Sequence, residues 1–485
     1  MTYFKNLLSC CIALMVFSFS QAQQKDPASE FYEQLKKINP DSSAVVRVIN
    51  ITIRGNKKTK SYIILREVPF RSGDSMAIST LPTILEQTRR QVFNTSLFSE
   101  VFITPALRSA TEIDVVITVL EKWYIFPTPQ FQFADRNINE WLKTYHADFN
   151  RVIYGVKFTH YNFSGRGDQL RIYLLNGYSR AISFAYSLPA SNSKLSEGFS
   201  VYGGYSQNRE VIYKTSKSNK LLQYKQNDFV RNNWSLSASY QSRKGFFSRN
   251  FYTFTYTYTH VDDSVLAFKY NPNYFGKPGS SVGIPDLSYT YQYANIDHVN
   301  YPLTGTTGGF SILKRGLGWN GGINMLSLEG AYVKYRSYFK NRLYSSFQLY
   351  SKVKLPFQLA YINQRGLGYG ELYLRGQEYY VVDGVASMVA KLTLKKKVIS
   401  FKIPTQFLRI RQLPNIPFTF FAKVYGDVGY SYAEREFESR LNNRLLYSGG
   451  FGIDILSVYG FTLNLEYSFN QFGENGLFLH GKSGF

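Results

Sequence analysis

The feature that most constrains this chain is an alternation of apolar and polar residues that begins near residue 125 and continues to residue 485. In the segment 459–469, large apolar side chains fall on every second residue, with glycine or polar residues between them. The segments 342–354, 388–395 and 418–431 repeat the pattern, and their polar face often carries full charges. Successive side chains of a β-strand point to opposite faces, so this period predicts strands. The region has no sustained helical period.

Such alternation fits either a soluble sandwich with one wet face or a membrane barrel. The strands are near or above the roughly 9–11 residues that a tilted membrane-spanning strand needs, and aromatic residues cluster towards strand ends, as in interfacial girdles. Aromatic residues form 17% of the chain, yet its mean hydropathy is only −0.24. A lipid-facing surface opposite a polar lumen explains both values.

The sequence therefore predicts an all-β transmembrane barrel over residues 123–485. Strand length gives about 16 antiparallel strands. The segment 211–231 leaves two alternatives open, a long hairpin or an extra strand.

The N-terminus has the pattern of a secretory signal peptide over residues 1–22. Lys5 supplies the positive charge, an apolar stretch follows it, and Ser20-Gln21-Ala22 offers small residues for cleavage. Cys10 and Cys11, the two cysteines of the chain, lie inside this segment, so the exported chain is expected to have no disulfide or reactive thiol. A lipoprotein processing site at Cys10 is the alternative, although only a short apolar stretch precedes it.

Residues 23–45 are polar and are predicted to be a linker. Residues 46–122 are predicted to be one small α+β domain, with its elements in the order β-α-α-β-β. The expected elements are a strand at 46–53, a helix at 59–67, a helix ending near 93, and strands at 101–106 and 113–120. Ser79 or Thr80 is a candidate N-cap for the second helix, and apolar residues at helical spacing follow it.

Basic residues exceed acidic ones, 56 to 33, which gives a formal net charge of +23. Nucleic-acid-binding proteins usually concentrate such charge on one face or segment. Here the basic residues are spread along the whole chain among aromatic residues. Nucleic acid is therefore not an expected partner, and the charge is assigned to the lumen, the loops and anionic lipid headgroups.

Three short motifs, Ser96-Leu97-Phe98-Ser99-Glu100-Val101, Leu374-Arg375-Gly376 and Tyr425-Gly426-Asp427-Val428-Gly429, resemble those of the BamA/TamA superfamily of outer-membrane assembly and translocation proteins. The domain at 46–122 is similar to their periplasmic POTRA domains, through Gly55 and the run Ser96-Leu97-Phe98-Ser99-Glu100-Val101. In the barrel, Leu374-Arg375-Gly376 lies in a loop followed by five strand candidates, as the Arg-Gly motif of the family's sixth extracellular loop does. Tyr425-Gly426-Asp427-Val428-Gly429 resembles the strand motif that receives that arginine.

The resemblance implies a loop-to-barrel lock made by Leu374, Arg375, Gly376, Asp427 and Gly429. Alternation also places Asp427 on the inward face of its strand, where a loop arginine can pair with it through two hydrogen bonds. An ordinary solvated loop arginine is the alternative interpretation of Arg375.

Two positions depart from the family pattern. The family usually has an aromatic residue after the Arg-Gly pair, where this chain has Gln377, and Tyr379 or Tyr380 is a candidate to replace it. The C-terminal Phe485 resembles the barrel signal of many outer-membrane proteins, but Ser483 stands where an apolar residue is expected.

By resemblance, the protein is expected in the outer membrane of a Gram-negative-type bacterium, with its POTRA-like domain in the periplasm. It would help to insert or export client polypeptides through a barrel that opens between its first and last strands, near 127–135 and 475–485. Its partners would be outer-membrane lipid, the clients, and periplasmic or lipoprotein partners that bind the POTRA-like domain, where strand addition captures extended segments.

The alternative function is an outer-membrane channel or secretion pore, for polypeptide or anionic solutes, without insertase activity. Basic residues expected to line the lumen would suit anions: Arg342, Lys352, Lys354, Lys391 and Lys395.

No catalytic residue, cofactor site or metal site is predicted, and the protein is not expected to be an enzyme. The segments 279–283 and 476–483 match the spellings of a nucleophile elbow around Ser281 and of a P-loop, but neither has the sequence context of a strand followed by a helix. The five histidines are isolated and have no metal-ligand spacing.

Overall fold

The computed structural model describes these residues of the chain: 44–134, 141–142, 145–192, 194–318, 323–339, 341–370, 372–404, 415–434 and 437–482. The signal peptide predicted for 1–22, nearly all of the predicted linker and the C-terminal Phe485 lie outside the described residues. The chain separates into two compact units, and the larger one includes everything from Leu120 onward.

The N-terminal domain contains a four-stranded sheet with the strand order β2-β1-β4-β3. Its elements are β1 (Val45–Arg54), α1 (Ser61–Leu65), β2 (Ser75–Ala77), α2 (Leu81–Asn94), β3 (Phe98–Leu107) and β4 (Glu112–Glu121). β1 is antiparallel to β2 and parallel to β4. Alternate residues of β1 and β4 are completely buried, including Val46, Val48, Ile113, Val115 and Ile117. These β-branched side chains suit a pleated, packed surface.

The observed order adds one element to the predicted β-α-α-β-β series. β2 is only three residues long and pairs with the first residues of β1. A segment this short has too few residues to show a period of two. The sequence therefore gave no indication of it.

Sixteen antiparallel strands form the main sheet, and hydrogen-bonded neighbours follow one another in chain order from β5 to β24. The strands are β5 (Ile125–Phe133), β6 (Val152–Tyr161), β7 (Gln169–Gly177), β8 (Ser179–Leu188), β9 (Glu197–Asn208), β12 (Arg231–Lys244), β13 (Ser248–Val261), β14 (Ser281–Ile296), β15 (Gly305–Arg315), β16 (Met325–Tyr338), β17 (Leu343–Leu355), β20 (Ala386–Pro404), β21 (Asn415–Tyr432), β22 (Leu445–Leu456), β23 (Thr462–Asn470) and β24 (Asn475–Lys482). The prediction of an all-β barrel of about 16 antiparallel strands is confirmed.

Two short hairpins stand apart from the main sheet. One pairs β10 (Glu210–Thr215) with β11 (Leu221–Lys225), and the other pairs β18 (Arg365–Leu367) with β19 (Val382–Asp383). The first of them settles the open question at 211–231, because that segment contains a hairpin and contributes no extra strand to the barrel before β12.

The two faces of the barrel strands differ as the alternation predicts. In β21, Val424, Val428 and Tyr430 are exposed on the outward face, whereas Lys423 and Asp427 are buried on the inward face. Charged side chains thus point into the barrel and apolar side chains point away from it.

In the described part of the chain, no helix combines the length and the apolar character needed to cross a membrane.

β5 and β24 stand at the two ends of the strand order. The Tyr161 N–H of β6 donates to the carbonyl oxygen of Tyr124, just before β5, at 2.7 Å. Since backbone groups alternate between the two edges of an antiparallel strand, the even-numbered residues of β5 face β6. Pro127 and Pro129 therefore turn their backbone nitrogens to the opposite edge, which we call the seam edge of β5. Proline has no N–H, so this edge lacks two donors.

Candidate functional site

A long loop between β17 and β20, residues 356–385, reaches the inward face of the barrel strands. We call it the lumen loop. It contains the hairpin β18–β19 and brings Leu374-Arg375-Gly376 against β21. The structure thus brings together Leu374, Arg375, Gly376, Asp427 and Gly429, five of the six site residues predicted from the sequence. The sixth, Phe485, lies outside the described residues.

Arg375 and Asp427 form a bidentate ion pair. The guanidinium Nε donates to Oδ2 of Asp427 at 3.0 Å, and Nη2 donates to Oδ1 at 2.5 Å. The backbone N–H of Arg375 also donates to Oδ2, at 3.0 Å. Asp427 is 1% exposed and Arg375 is 8% exposed, so the pair is nearly desolvated. Three hydrogen bonds to one carboxylate fix both the loop backbone and the side chain.

The remaining groups around the Arg375 guanidinium come from neighbouring strands. Nη1 donates to Oγ1 of Thr393 on β20 at 3.2 Å and lies 4.0 Å from Oε1 of Glu466 on β23. The guanidinium carbon lies 3.9 Å from the ring centroid of Tyr425, which is a cation–π contact. Tyr425 belongs to the same strand motif as Asp427.

Tyr379 and Tyr380, the sequence candidates for an aromatic partner, make other contacts. The ring of Tyr379 packs on Phe478 of β24, with centroids 5.6 Å apart. The hydroxyl of Tyr380 donates to Oε1 of Glu474 at 2.6 Å. Burial and this hydrogen bond raise the pKa of the Tyr380 hydroxyl to about 12. Both tyrosines connect the lumen loop to the last hairpin of the barrel.

Leu374 occupies a space that Gly429 leaves open. A Cβ atom at Gly429 would lie 2.7 Å from Cδ1 of Leu374, which is far inside van der Waals contact. Leu374 is 2% exposed and belongs to an apolar cluster with residues of the lumen loop, β20 and the segment around β22. The cluster contains Leu367, Val382, Val389, Leu441 and Leu446.

Gly376 makes the turn after the arginine possible. Its φ is +83°, a conformation that side chains with a Cβ rarely adopt. A Cβ there would also lie 2.9 Å from Cβ of Ser468. Its carbonyl oxygen accepts a hydrogen bond of 3.0 Å from Nδ2 of Asn470.

The sequence analysis missed a buried charge network beside this pair. Lys423 of β21 contacts Oδ1 of Asp454 and lies 2.6 Å from Oε1 of Glu466. Lys395 of β20 lies 3.0 Å from Oδ2 of Asp454, which also accepts a 2.7 Å hydrogen bond from Tyr301. Alternation placed Lys423 and Glu466 on inward faces, but it does not give the register between strands, and the register brings them together.

The basic residues expected to suit anions are largely engaged within the protein. Lys354 is buried and donates to the carbonyl oxygens of Asn363 and Arg365 at 2.6 and 2.7 Å. Lys352 pairs with Glu329 at 2.7 Å, and Lys391 lies over the ring of Tyr373. Arg342 does not belong to a barrel strand; it is an exposed residue just before β17.

The larger unit is thus a 16-stranded antiparallel barrel whose lumen loop places an Arg-Gly motif on an inward-facing aspartate. Comparison with known proteins bears on the domain and on the fold. Residues 46–122 match the POTRA family, described as a surface antigen variable number repeat. No protein of curated function is a significant sequence match.

Two solved structures have a similar fold over most of this chain. The structure of BamA from Haemophilus ducreyi lacking POTRA domains 1–3 has 14% sequence identity and a TM-score of 0.50, over 95% of this chain and 94% of that chain. CdiB from Escherichia coli has 12% identity and a TM-score of 0.54, over 90% of this chain and 75% of that chain. Residues 46–122 therefore form a POTRA domain, and the chain has the fold of BamA and CdiB. The resemblance stated from the sequence is confirmed at the level of the fold.

Proposed function

We propose that this protein inserts or exports client polypeptides at the outer membrane of a Gram-negative-type bacterium. The POTRA domain lies in the periplasm and receives clients or partner proteins, and the barrel opens laterally between β5 and β24. In this proposal Leu374, Arg375, Gly376, Asp427 and Gly429 lock the lumen loop to β21, and Phe485 is part of the C-terminal barrel signal. Outer-membrane lipid is the surrounding partner, and neither a cofactor nor catalysis is needed for this activity.

The bidentate pair of Arg375 and Asp427 is the observation that carries the proposal. A solvated loop arginine would need no buried carboxylate, no glycine seat for its neighbour and no tyrosine ring beneath it. Burying two charges is unfavourable unless their geometry is nearly ideal. Such a pair therefore specifies where the loop sits more than it adds stability.

The seam edge of β5 supports lateral opening. Among its five odd-numbered residues, Pro127 and Pro129 offer no N–H to a neighbouring strand. Prolines in sheets occur on edge strands for this reason. A boundary with fewer hydrogen bonds than the other ladders is the place where a barrel opens most readily, and an exposed strand edge can template a client strand.

The POTRA sheet offers a second edge for clients. β3 stands at the end of the strand order and runs over ten residues. Phe102 in its middle is 55% exposed. An extended peptide can add to such an edge through backbone hydrogen bonds, with side chains such as Phe102 giving apolar contact.

An open channel for anions receives less support. Asn219, between β10 and β11, donates from Nδ2 to the carbonyl oxygen of Val381 in the lumen loop at 2.8 Å. Its Oδ1 accepts from the Leu441 N–H in the segment between β21 and β22 at 3.1 Å. Three segments that follow strands of the same direction are thus tied together. With the inward cations largely engaged, this favours a gated barrel over a steady pore.

A reversible disulfide across the seam tests the proposal. Phe131→Cys on β5 is combined in turn with Leu477→Cys and Leu479→Cys on β24, in a strain where this is the only copy. All three side chains are exposed on the outward face, so the paired thiols point the same way. Leu465→Cys with Leu479→Cys is the control, because these residues face each other on neighbouring strands β23 and β24.

We expect the seam disulfide to reduce the amounts of client proteins in the outer-membrane proteome, and a reducing agent to restore them. The control disulfide should leave the proteome unchanged, since it joins strands that stay paired. Normal client levels with a fully formed seam disulfide would exclude lateral opening. Steady, large conductance in planar bilayers would instead support the channel alternative.

A further inference from the structure

His480 is not isolated in the folded chain, although the sequence shows no ligand spacing for it. Its Nε2 atom lies 3.4 Å from Oε1 of Glu378 and 3.6 Å from Oε2 of Glu466. The imidazole and the two carboxylates offer ligand atoms that all lie within 4.8 Å of one another. The three residues come from β24, the lumen loop and β23, so only the fold brings them together.

The distances do not fit a histidine that simply hydrogen bonds to carboxylates. A charged imidazole N–H bound to a carboxylate lies at about 2.7–2.9 Å from its acceptor, and both observed separations are longer than that. In a tetrahedral site with bonds of about 2.1 Å, neighbouring ligand atoms lie about 3.4 Å apart. The two observed separations match that ligand spacing.

The carboxylate of Glu466 is already oriented for such a role. Its Oε1 faces Lys423 at 2.6 Å and Arg375 at 4.0 Å. Its Oε2 points to His480 and, within the described residues, accepts no hydrogen bond, although Glu466 is only 3% exposed. A buried carboxylate oxygen without a hydrogen bond is unfavourable unless a cation contacts it. The lysine on the other oxygen fixes the orientation, as outer groups do around metal ligands.

We propose that Glu378, Glu466 and His480 form a site for a divalent transition metal ion, with zinc the best match. One imidazole with two carboxylates is a donor set that suits zinc better than magnesium or calcium, which prefer oxygen ligands alone. His480 keeps 29% of its side chain exposed, and it lines with Glu466 a cavity of about 1470 Å³ inside the barrel. The cavity gives the ion a path to the site and room for water as a fourth ligand.

The bound ion would join the lumen loop to the last two strands of the barrel. Glu378 lies three residues after Arg375, and His480 lies on the strand that forms one side of the seam. Zinc would therefore hold β24 to the loop and to β23 at the same time. This role is separate from the Arg375–Asp427 pair, which fastens the loop to β21.

Zinc titration of the full-length, untagged protein refolded in detergent tests the site. We expect one zinc ion per chain, measured against a fluorescent zinc chelator, and a Co²⁺-substituted protein with the absorption of a tetrahedral site. His480→Ala should weaken zinc binding by about 100-fold or more, since changes even to outer groups cost about 10- to 100-fold. Glu378→Gln should also weaken it while preserving the side-chain shape.

His260→Ala is the matched control, because His260 is another strand histidine whose Nδ1 lies 2.8 Å from the hydroxyl of Ser281. Its zinc affinity should equal that of the wild type. Zinc should also raise the unfolding temperature of the wild type and of His260→Ala, but not of His480→Ala, because a ligand stabilises only the fold that binds it. Heat-modifiable migration on gels shows that each variant is folded. Absence of stoichiometric zinc binding, or binding that folded His480→Ala retains, would overturn the proposal.

Discussion

The contact of Leu374-Arg375-Gly376 with Asp427 and Gly429 of β21, which we call the seat of the lumen loop, differs sharply from the seam edge of β5. The two regions are opposite extremes in how tightly the barrel is held together. At the seat, Arg375 and Asp427 share three hydrogen bonds, with an aromatic ring and a glycine pocket beside them. At the seam edge, Pro127 and Pro129 remove two backbone donors from a nine-residue strand. The seat is fixed by more contacts than are needed to position the loop, whereas the seam edge has fewer backbone donors than an ordinary strand edge.

This difference predicts which part of the barrel moves in the proposed lateral opening. A buried ion pair whose partners hold each other in place cannot separate without leaving an unpaired charge inside the protein. A strand edge that has fewer hydrogen bonds can separate at a smaller free-energy change. We therefore expect β20 to β23 and the lumen loop to stay together while β5 parts from β24. Each of the following changes acts on one side of this comparison.

Asp427→Ala should have the largest effect, because it removes the carboxylate and leaves the Arg375 guanidinium buried. We expect the free energy of unfolding to fall by about 3–5 kcal/mol. Urea unfolding of the refolded protein, followed by heat-modifiable migration and tyrosine fluorescence, measures the change.

Lys352→Ala is the matched control, since the Lys352–Glu329 pair is also a strand ion pair but is much more exposed. Its effect should be at most about 1 kcal/mol. If the free energy of unfolding fell equally in the two variants, burial would not make the Arg375–Asp427 pair more important for stability than an exposed pair.

Gly429→Ala should have a smaller effect on the same seat. The added Cβ meets Cδ1 of Leu374 at 2.7 Å, so the leucine must shift within its apolar cluster. Overpacking of this kind costs about 1–3 kcal/mol. Gly426→Ala on the same strand is the control, because its nearest neighbour would be 3.9 Å from the new Cβ. Limited proteolysis of the lumen loop should accelerate in Gly429→Ala alone; unchanged cleavage would argue against Leu374 as an anchor.

The sequence carried most of the fold because alternation is a local property. Each strand shows its own period of two, so the strand series, the two faces and the inward position of Asp427 could be predicted residue by residue. The hairpin β10–β11 shows the limit of this information, because only the pairing of the two strands decides that they form a separate sheet.

The site was predictable only where a motif marks it. Arg375 and Asp427 were found because short motifs resemble those of known barrels. Tyr425, Lys423 and Asp454 were not assigned a role, because their partners depend on the register of β20 to β23. His480 was set aside for lack of sequence spacing, since its neighbours lie on a distant loop and on the paired strand.

The smallest effect is expected at the seam. Replacing both prolines, in Pro127→Thr with Pro129→Thr, restores two N–H groups on the edge that faces away from β6, and threonine favours strands. Each new hydrogen bond to β24 should add about 0.5–1.5 kcal/mol to the free energy of unfolding. The double variant should also slow client insertion, because the seam opens less readily.

Thr128→Pro separates this explanation from a general effect of proline content. Thr128 lies between the two prolines, but its amide faces β6, so proline there removes a hydrogen bond from an existing ladder. We expect it to destabilise the barrel, the opposite sign to the double threonine variant. If the double variant were no more stable than the wild type and inserted clients at the same rate, the missing donors of the seam edge would not control opening. The difference between the seat and the seam edge would then not explain where the barrel opens. The sign of the stability change is thus the decisive result, because only a seam that is bonded in the resting state can gain from restored donors.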